Sequence, residues 1–124
     1  MKFLKCEGCG KIVELIVPSA CPTKCCGEAM VELVPNTTDG AHEKHVPVVT
    51  QDGNLVHVAV GSVEHPMMEK HWITLIAVET DKGVQHKEFT PSDAPKADFA
   101  LCEGEQLKAV YEYCNLHGLW TAEL

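Results

Sequence analysis

Cysteine and histidine fall into two blocks along this chain, and that partition constrains the fold more than any other feature. Residues 1–34 hold five of the seven cysteines and no histidine, whereas residues 42–124 hold all seven histidines and the other two cysteines. A leading piece of ~35 residues is too small to fold on an apolar core alone and needs a metal or disulfide staple. The stretch "VPNTTDGAHE" between the blocks carries Pro35, Asn36, Asp39 and Gly40, which are turn and linker residues. The boundary falls near residues 35–40, giving a small domain over 1–36 and a second domain over 37–124.

The thiol count decides between the two kinds of staple. Seven is odd, which argues against a fully paired disulfide framework. The segment "MKFLKCEGCG" places Cys and Glu where a signal peptide has its apolar run, and no stretch approaches the ~20 apolar residues that span a bilayer. The expectation is a cytoplasmic chain with no membrane partner, and in a reducing compartment clustered thiols are metal ligands or redox groups. A formal charge of −8 argues against a nucleic-acid partner, which requires a basic patch. It also repels small anions at long range, so an anionic substrate needs a local positive site.

The second part reads as strands. "NLVHVAVGSV" alternates with period two, "HWITLIAVET" is β-branched and mostly apolar, and "KHVPVVTQDG" ends in an Asp-Gly turn signal. "TDKGVQHKEFT" reads as a turn between strands, followed by a Pro-rich loop, "TPSDAPKADF". "EQLKAVYEYCNLHGLW" suits a short helix or a strand and loop equally. Five to seven short strands at this spacing predict an all-β chain whose larger part is an immunoglobulin-like antiparallel β-sandwich.

"CEGCGK" sets Cys6 and Cys9 two residues apart, with Gly10 permitting the tight turn that brings both sulfurs to one ion. "KCCGEAM" supplies a second pair, Cys25 and Cys26. Their adjacency predicts a somewhat distorted tetrahedron of four thiolates, a donor set that suits zinc and iron alike. Cys21 has no evident role. Among the histidines, His42, His57 and His86 read as surface or satisfied core residues. His65 and His71 flank Pro66 in "EHPMMEKHW" as two ends of a loop folding onto one ion. Cys114 and His117 in "YCNLHGLW" offer two donors from one turn, and with His45 in "EKHVP" the set reaches four imidazoles and one thiolate.

Those fragments carry a resemblance. "EKHVP", "EHPMMEKHW" and "YCNLHGLW" resemble the active-site motifs of superoxide reductases, and "CEGCGK…CCGEAM" resembles a desulforedoxin domain. Over nearly all 124 residues the chain looks like the desulfoferrodoxin family, the two-iron superoxide reductases. The resemblance implies one iron held by Cys6, Cys9, Cys25 and Cys26. It implies a second iron with His45, His65, His71 and His117 in its equatorial plane and Cys114 axial. Glu43 would close the sixth position in the ferric state, and Lys44 would be the cation beside the open site. The implied reaction is one-electron reduction of superoxide to hydrogen peroxide without dismutation, with rubredoxin or a similar small carrier as electron donor and a homodimer as the assembly. Cys21 and Cys102 have no counterpart in that scheme. Two other readings compete: a non-catalytic iron electron-transfer protein, and a zinc-stapled interaction module. Glu43 and Lys44 are adjacent, so both reach one iron only if "AHEKH" is an irregular loop rather than a strand.

Overall fold

Strand pairing organises almost the whole chain. The computed structural model describes residues 1–124, which divide into two units, Met1–Val34 and Pro35–Leu124. The first unit contains only very short strands. β1 (Phe3–Lys5) is flanked antiparallel by β2 (Ile12–Glu14) and β5 (Val31–Glu32), while β3 (Lys24–Cys25) and β4 (Glu28–Ala29) form a separate two-stranded ribbon. Its buried hydrophobic side chains are few: Phe3, Leu4 and Cys6. Ile16 and Val17 stand about four-fifths exposed, at 80% and 81%.

The second unit opens with a single helical turn, α1 (His42–His45), and then runs through seven strands. These are β6 (Pro47–Asp52), β7 (Leu55–Val60), β8 (Ile73–Thr80), β9 (Gly83–Glu88), β10 (Lys96–Ala100), β11 (Leu107–Cys114) and β12 (Gly118–Thr121). They pair antiparallel into one sheet of order β10-β7-β6 and another of order β12-β11-β8-β9. The chain crosses between sheets after β7, after β9 and after β10, which is the Greek-key pattern of an immunoglobulin-like sandwich. Val56, Val58 and Val60 on β7 alternate with outward His57 and Ala59, and they meet Ile73, Ile76, Val78 and Val110 from the opposite sheet. Burying each of these side chains contributes about 1.5–3 kcal/mol. Asp-Gly at 52–53 does form the β6–β7 hairpin, with Gly53 at φ 59°.

Three local expectations change. "GVQHKE" is itself a strand, β9, whose exposed side chains leave no apolar alternation to read. Inside the Pro-rich "TPSDAPKADF", residues 96–100 join the sheet edge as β10, because Ala97 and Phe99 pack inward. "AHEKH" is a helical turn rather than an irregular loop. Four residues without a side-chain cap do not hold a helix on their own. This one is pinned from outside: the Glu43 carbonyl accepts from Val63 N at 2.8 Å and from Ser62 Oγ at 3.2 Å. Gly61 makes the approach possible, since a Cβ there would lie 2.6 Å from the Glu43 oxygen.

Candidate metal centres

In the first unit, the turn after β1 and the β3–β4 turn face each other and bring four thiols together. Sγ atoms of Cys6, Cys9, Cys25 and Cys26 all lie within 4.8 Å of one another. Cys9 and Cys25 are 3.7 Å apart and Cys25 and Cys26 4.0 Å. An edge near 3.7 Å belongs to a tetrahedron whose centre is ~2.3 Å from each sulfur, the usual metal–thiolate bond. The backbone is shaped to this arrangement. Gly10 N donates to Cys6 O at 2.8 Å with Gly10 at φ 80°, and Cys26 and Gly27 take φ 53° and 77° so that adjacent thiols converge. A Cβ on Gly8 would sit 3.1 Å from that of Cys26. The Cys6 thiol is drawn down to about 7, first by the backbone N–H of Cys9. Cys26 is pushed up to about 12, first by its hydrogen bond with Cys6. Four thiols cannot all ionise side by side without a cation, which is the demand a metal meets. No pair is bonded as a disulfide, and Cys21 lies outside the group.

In the second unit, the donors come from one end of the sandwich. His45 closes α1, His65 and His71 bracket the β7–β8 loop, and Cys114 and His117 bracket the β11–β12 turn. Their ligand atoms again lie within 4.8 Å of one another, and donors on opposite sides of one ion at ~2.1 Å would be ~4.2 Å apart. The four imidazoles form a square. Ring centroids are 4.8 Å apart for His45–His65, 4.6 Å for His65–His71, 5.0 Å for His71–His117 and 4.7 Å for His117–His45. The His45–His71 diagonal is 6.5 Å, close to √2 times an edge, as expected for rings on opposite corners of that figure. Neighbouring rings stand nearly perpendicular, at 73° to 83°, while this opposite pair is tilted by only 30°. The result is a four-bladed propeller.

Outer contacts fix which nitrogen faces the centre. His45 Nδ1–H donates to Ala41 O at 2.7 Å and His65 Nδ1–H to Pro66 O at 2.6 Å, leaving each Nε2 lone pair inward. His65 Nε2 and His71 Nε2 are buried with no hydrogen-bond partner. His117 turns its Nδ1 inward instead, 3.0 Å from His45 Nε2 and 3.9 Å from Cys114 Sγ. Its carbonyl is held from behind by Trp120 Nε1–H at 2.9 Å and by the Thr38 hydroxyl, and the Trp120 ring stacks on His45. Orphaned, converging lone pairs on a buried floor are what a metal ion satisfies, so the residues fit one. Burial holds His45, His65 and His71 below the ordinary histidine range, His65 down to about 4, so they are neutral donors at pH 7. Burial likewise pushes the Cys114 thiol up, and only a bound cation would favour its thiolate.

Glu43 and Lys44 both stand exposed on the helical turn beside His45, outside the donor group. Lys44 is near enough for its charge to help lower the His71 basicity. His42 lies edge-on to Trp120, His57 pairs with Asp98 at 2.6 Å, and neither they nor His86 nor Cys102 belong to either group. Sequence reasoning passed over three supporting residues. Asn115, inside "CNLH", accepts from Trp72 N at 2.9 Å and donates to Lys70 O at 3.0 Å, clamping the two ligand loops together. Trp120 was visible as the end of "HGLW" but had no role. Glu112 shares a strand face with Val110 and Cys114, wholly buried, with both carboxyl oxygens unpartnered. Its place in "AVYEYC", on the side where Val and Cys recur, is the signal that could have marked it.

With this geometry established, comparison with known proteins places it. The family model described as Desulfoferrodoxin matches residues 37–123. Desulfoferrodoxin from Nitratidesulfovibrio vulgaris is 49% identical over 98% of this chain and 95% of its own length. The crystal structure of the superoxide reductase from Treponema pallidum superposes with a TM-score of 0.82 at 36% identity, covering 98% of both chains. The 1Fe superoxide reductase from Giardia intestinalis superposes with a TM-score of 0.57 at 34% identity, over 66% of this chain and 97% of its own.

Proposed function

The chain belongs to the desulfoferrodoxin family, and from that premise we propose that it is a superoxide reductase. It takes superoxide, one electron and two protons to hydrogen peroxide without dismutation. The observation that carries this reading is the closed ring of four neighbouring imidazoles with one deeply buried thiol among its donors. His45, His65, His71, His117 and Cys114 would hold one iron, and Cys6, Cys9, Cys25 and Cys26 a second. Held by the four histidines and Cys114, iron(II) would supply the electron, and thiolate donation from Cys114 would favour the ferric product.

The chain's own residues do the rest. The neutral imidazoles of His45, His65 and His71 would leave the charge of the site to a bound metal and the thiolate, which would keep the centre attractive to an anion although the chain carries −8. Lys44 adds a local cation on the exposed side, where superoxide arrives. Glu43, next to it, is the carboxylate that would close over the oxidised centre. Cys114 is 0% exposed and His45 2%, so water is kept from the thiolate side. His71 and His117 are only partly covered, which leaves that edge for access.

We place the protein in the cytoplasm, where rubredoxin or a similar small carrier returns the spent electron; no helix is long and apolar enough to cross a membrane. A homodimer is the proposed assembly, supported by Ile16 and Val17 standing bare on the first unit. Sedimentation as a monomer at micromolar concentration would overturn it. The reductase itself is tested by pulse radiolysis of the ferrous protein. The expected outcome is a fast second-order oxidation yielding peroxide and no dioxygen. Evolution of dioxygen, or an inert ferrous centre, sinks the reading.

A further inference from the structure

The four imidazoles of the second unit are not braced alike. His45 and His65 each direct the outer ring nitrogen to a backbone carbonyl, Ala41 O at 2.7 Å and Pro66 O at 2.6 Å. His117 is held through its own carbonyl, which accepts from Trp120 Nε1–H at 2.9 Å and from the Thr38 hydroxyl. His71 has no such ring partner: its Nε2 is buried and unpartnered, and no side-chain hydrogen bond turns it. Burial does not fix it either, since it is only partly covered, whereas His45 and His65 are wholly enclosed. Its direction has to come from the backbone.

Around His71 that backbone is gripped by a single side chain. The ladder between β8 and β11 slips at its end, pairing Tyr113 with Leu75 but Cys114 with Ile73. There both strands stop, yet the hydrogen bonding continues. Asn115 N donates to Trp72 O at 3.2 Å, Asn115 Oδ1 accepts from Trp72 N at 2.9 Å, and Asn115 Nδ2 donates to Lys70 O at 3.0 Å. A primary amide offers the donor and acceptor of a peptide group, so this side chain stands in for one more strand residue. Lys70 O belongs to the peptide unit before His71 and Trp72 N to the one after it. Holding both planes fixes the two soft dihedrals of His71 and hence the direction of its Cα–Cβ bond. Met68 grips the same two units from the other side, exchanging both backbone bonds with His71 at 2.9 and 3.0 Å. That closure shapes the loop internally and carries nothing about where the other donors lie. Asn115 does, because it sits between Cys114 and His117.

We propose that Asn115 is the positioning residue for His71, setting this imidazole in register with Cys114 and His117 so that the donor ring closes on one ion. It replaces, through the backbone, the ring hydrogen bond that His45 and His65 possess. The proposal rests on these donors binding a metal and not on any reaction carried out there. Its consequence is selective. Without the Asn115 amide, His71 should come loose from a bound ion, while His45 and His65 stay in place on their own carbonyls.

The test loads the full chain with cadmium(II), a diamagnetic ion that tolerates high coordination numbers and couples to the nitrogens that bind it. Imidazole nitrogens are then read by NMR. The first unit has no histidine, so every ring signal reports on the second. In the parent, His45, His65, His71 and His117 should show cadmium coupling, and His42, His57 and His86 none. In Asn115→Ala the His71 coupling should weaken or vanish while His45 and His65 keep theirs. The cadmium affinity of this centre, read at His65 against a competing chelator, should fall about 10–100-fold, the range that outer partners of metal ligands command. Asn115→Asp keeps the acceptor for Trp72 N but loses the donor to Lys70 O, and should fall in between. Val78→Ala, a truncation in the apolar core, measures what lost stability does by itself. Full His71 coupling in Asn115→Ala overturns the proposal, as does loss at all four rings together, or the same selective loss in Val78→Ala. If Asn115→Ala fails to fold, Asn115→Asp is judged by the same criteria. A parent in which cadmium couples to none of the four rings would sink the metal centre and this proposal together. A ferrous parent inert to superoxide would strike the reductase reading alone.

Discussion

The two donor clusters reach the same end by opposite routes. In the first unit the strands are two or three residues long, only Phe3, Leu4 and Cys6 are buried, and the turns that present the thiols are a large part of the structure. In the second, strands of four to eight residues enclose a valine- and isoleucine-rich core, and the donors sit at one end of it. The first unit is therefore organised by what it binds, whereas the second is a self-supporting sandwich to which a site has been added. A ligand lost from one should cost structure; a ligand lost from the other should cost chemistry.

Removing metal is the strongest way to break that contrast. Chelation of the holoprotein should unfold residues 1–34 while the sandwich keeps its dispersed amide resonances, seen side by side in one heteronuclear NMR spectrum. A folded metal-free first unit would abolish the distinction. Next in size, Cys114→Ser should remove the thiolate-to-iron charge-transfer colour of the second centre and abolish superoxide reduction, leaving the four-thiolate spectrum intact. Cys26→Ser should do the reverse, bleaching the first centre and destabilising its unit while reductase activity survives. Activity lost in both would mean the centres do not work independently.

Acid sharpens the comparison further. In the metal-free sandwich, His45, His65 and His71 bind protons less readily folded than unfolded. The unfolded state therefore takes up more protons below its ordinary histidine range, and stability falls as pH drops from ~6.5 towards the His65 value of about 4. His65→Gln should flatten that limb of the urea-midpoint profile; an unchanged slope would show that another group titrates there. Glu112 acts with the opposite sign. Burial raises its carboxyl well above the usual range, so its cost sets in as pH rises through the ordinary carboxylate range and grows until the raised folded value is passed. Glu112→Leu should then stabilise the metal-free sandwich at pH 7 by about 1–3 kcal/mol, the penalty of a buried unpartnered polar group. Destabilisation instead would mean that the carboxyl has a partner in solution. The smallest effect belongs to Lys44→Ala, which should slow oxidation by superoxide a few-fold and flatten its dependence on ionic strength. An unchanged rate and salt slope would reduce Lys44 to a solvated surface charge.

Much of this was readable in the chain because metal donors are written in rare residues at short spacing. Cys6 and Cys9, Cys25 and Cys26, and Cys114 and His117 announce themselves as pairs, and the sandwich follows from period-two runs such as "NLVHVAV". What stayed hidden depends on long-range geometry. Nothing local says that Asn115 will bond across 45 residues to Lys70, or that Gly61 is a glycine because the turn of α1 must pass over it. The strand β9 was illegible for a different reason. An exposed edge strand has little burial pattern to leave in its sequence, and only pairing with β8 defines it.

The propeller of imidazoles has one further consequence, and it concerns supply rather than catalysis. Ala41 O, Pro66 O and Trp120 set the ring orientations from behind, so the pocket is shaped before any ion arrives. A ready-made nitrogen-and-sulfur cage discriminates poorly, because the intrinsic order of divalent affinities puts copper and zinc ahead of iron(II). Correct loading must then be decided by which ion the cell offers while the sandwich closes, and mismetallation is the hazard that accompanies so well preformed a site.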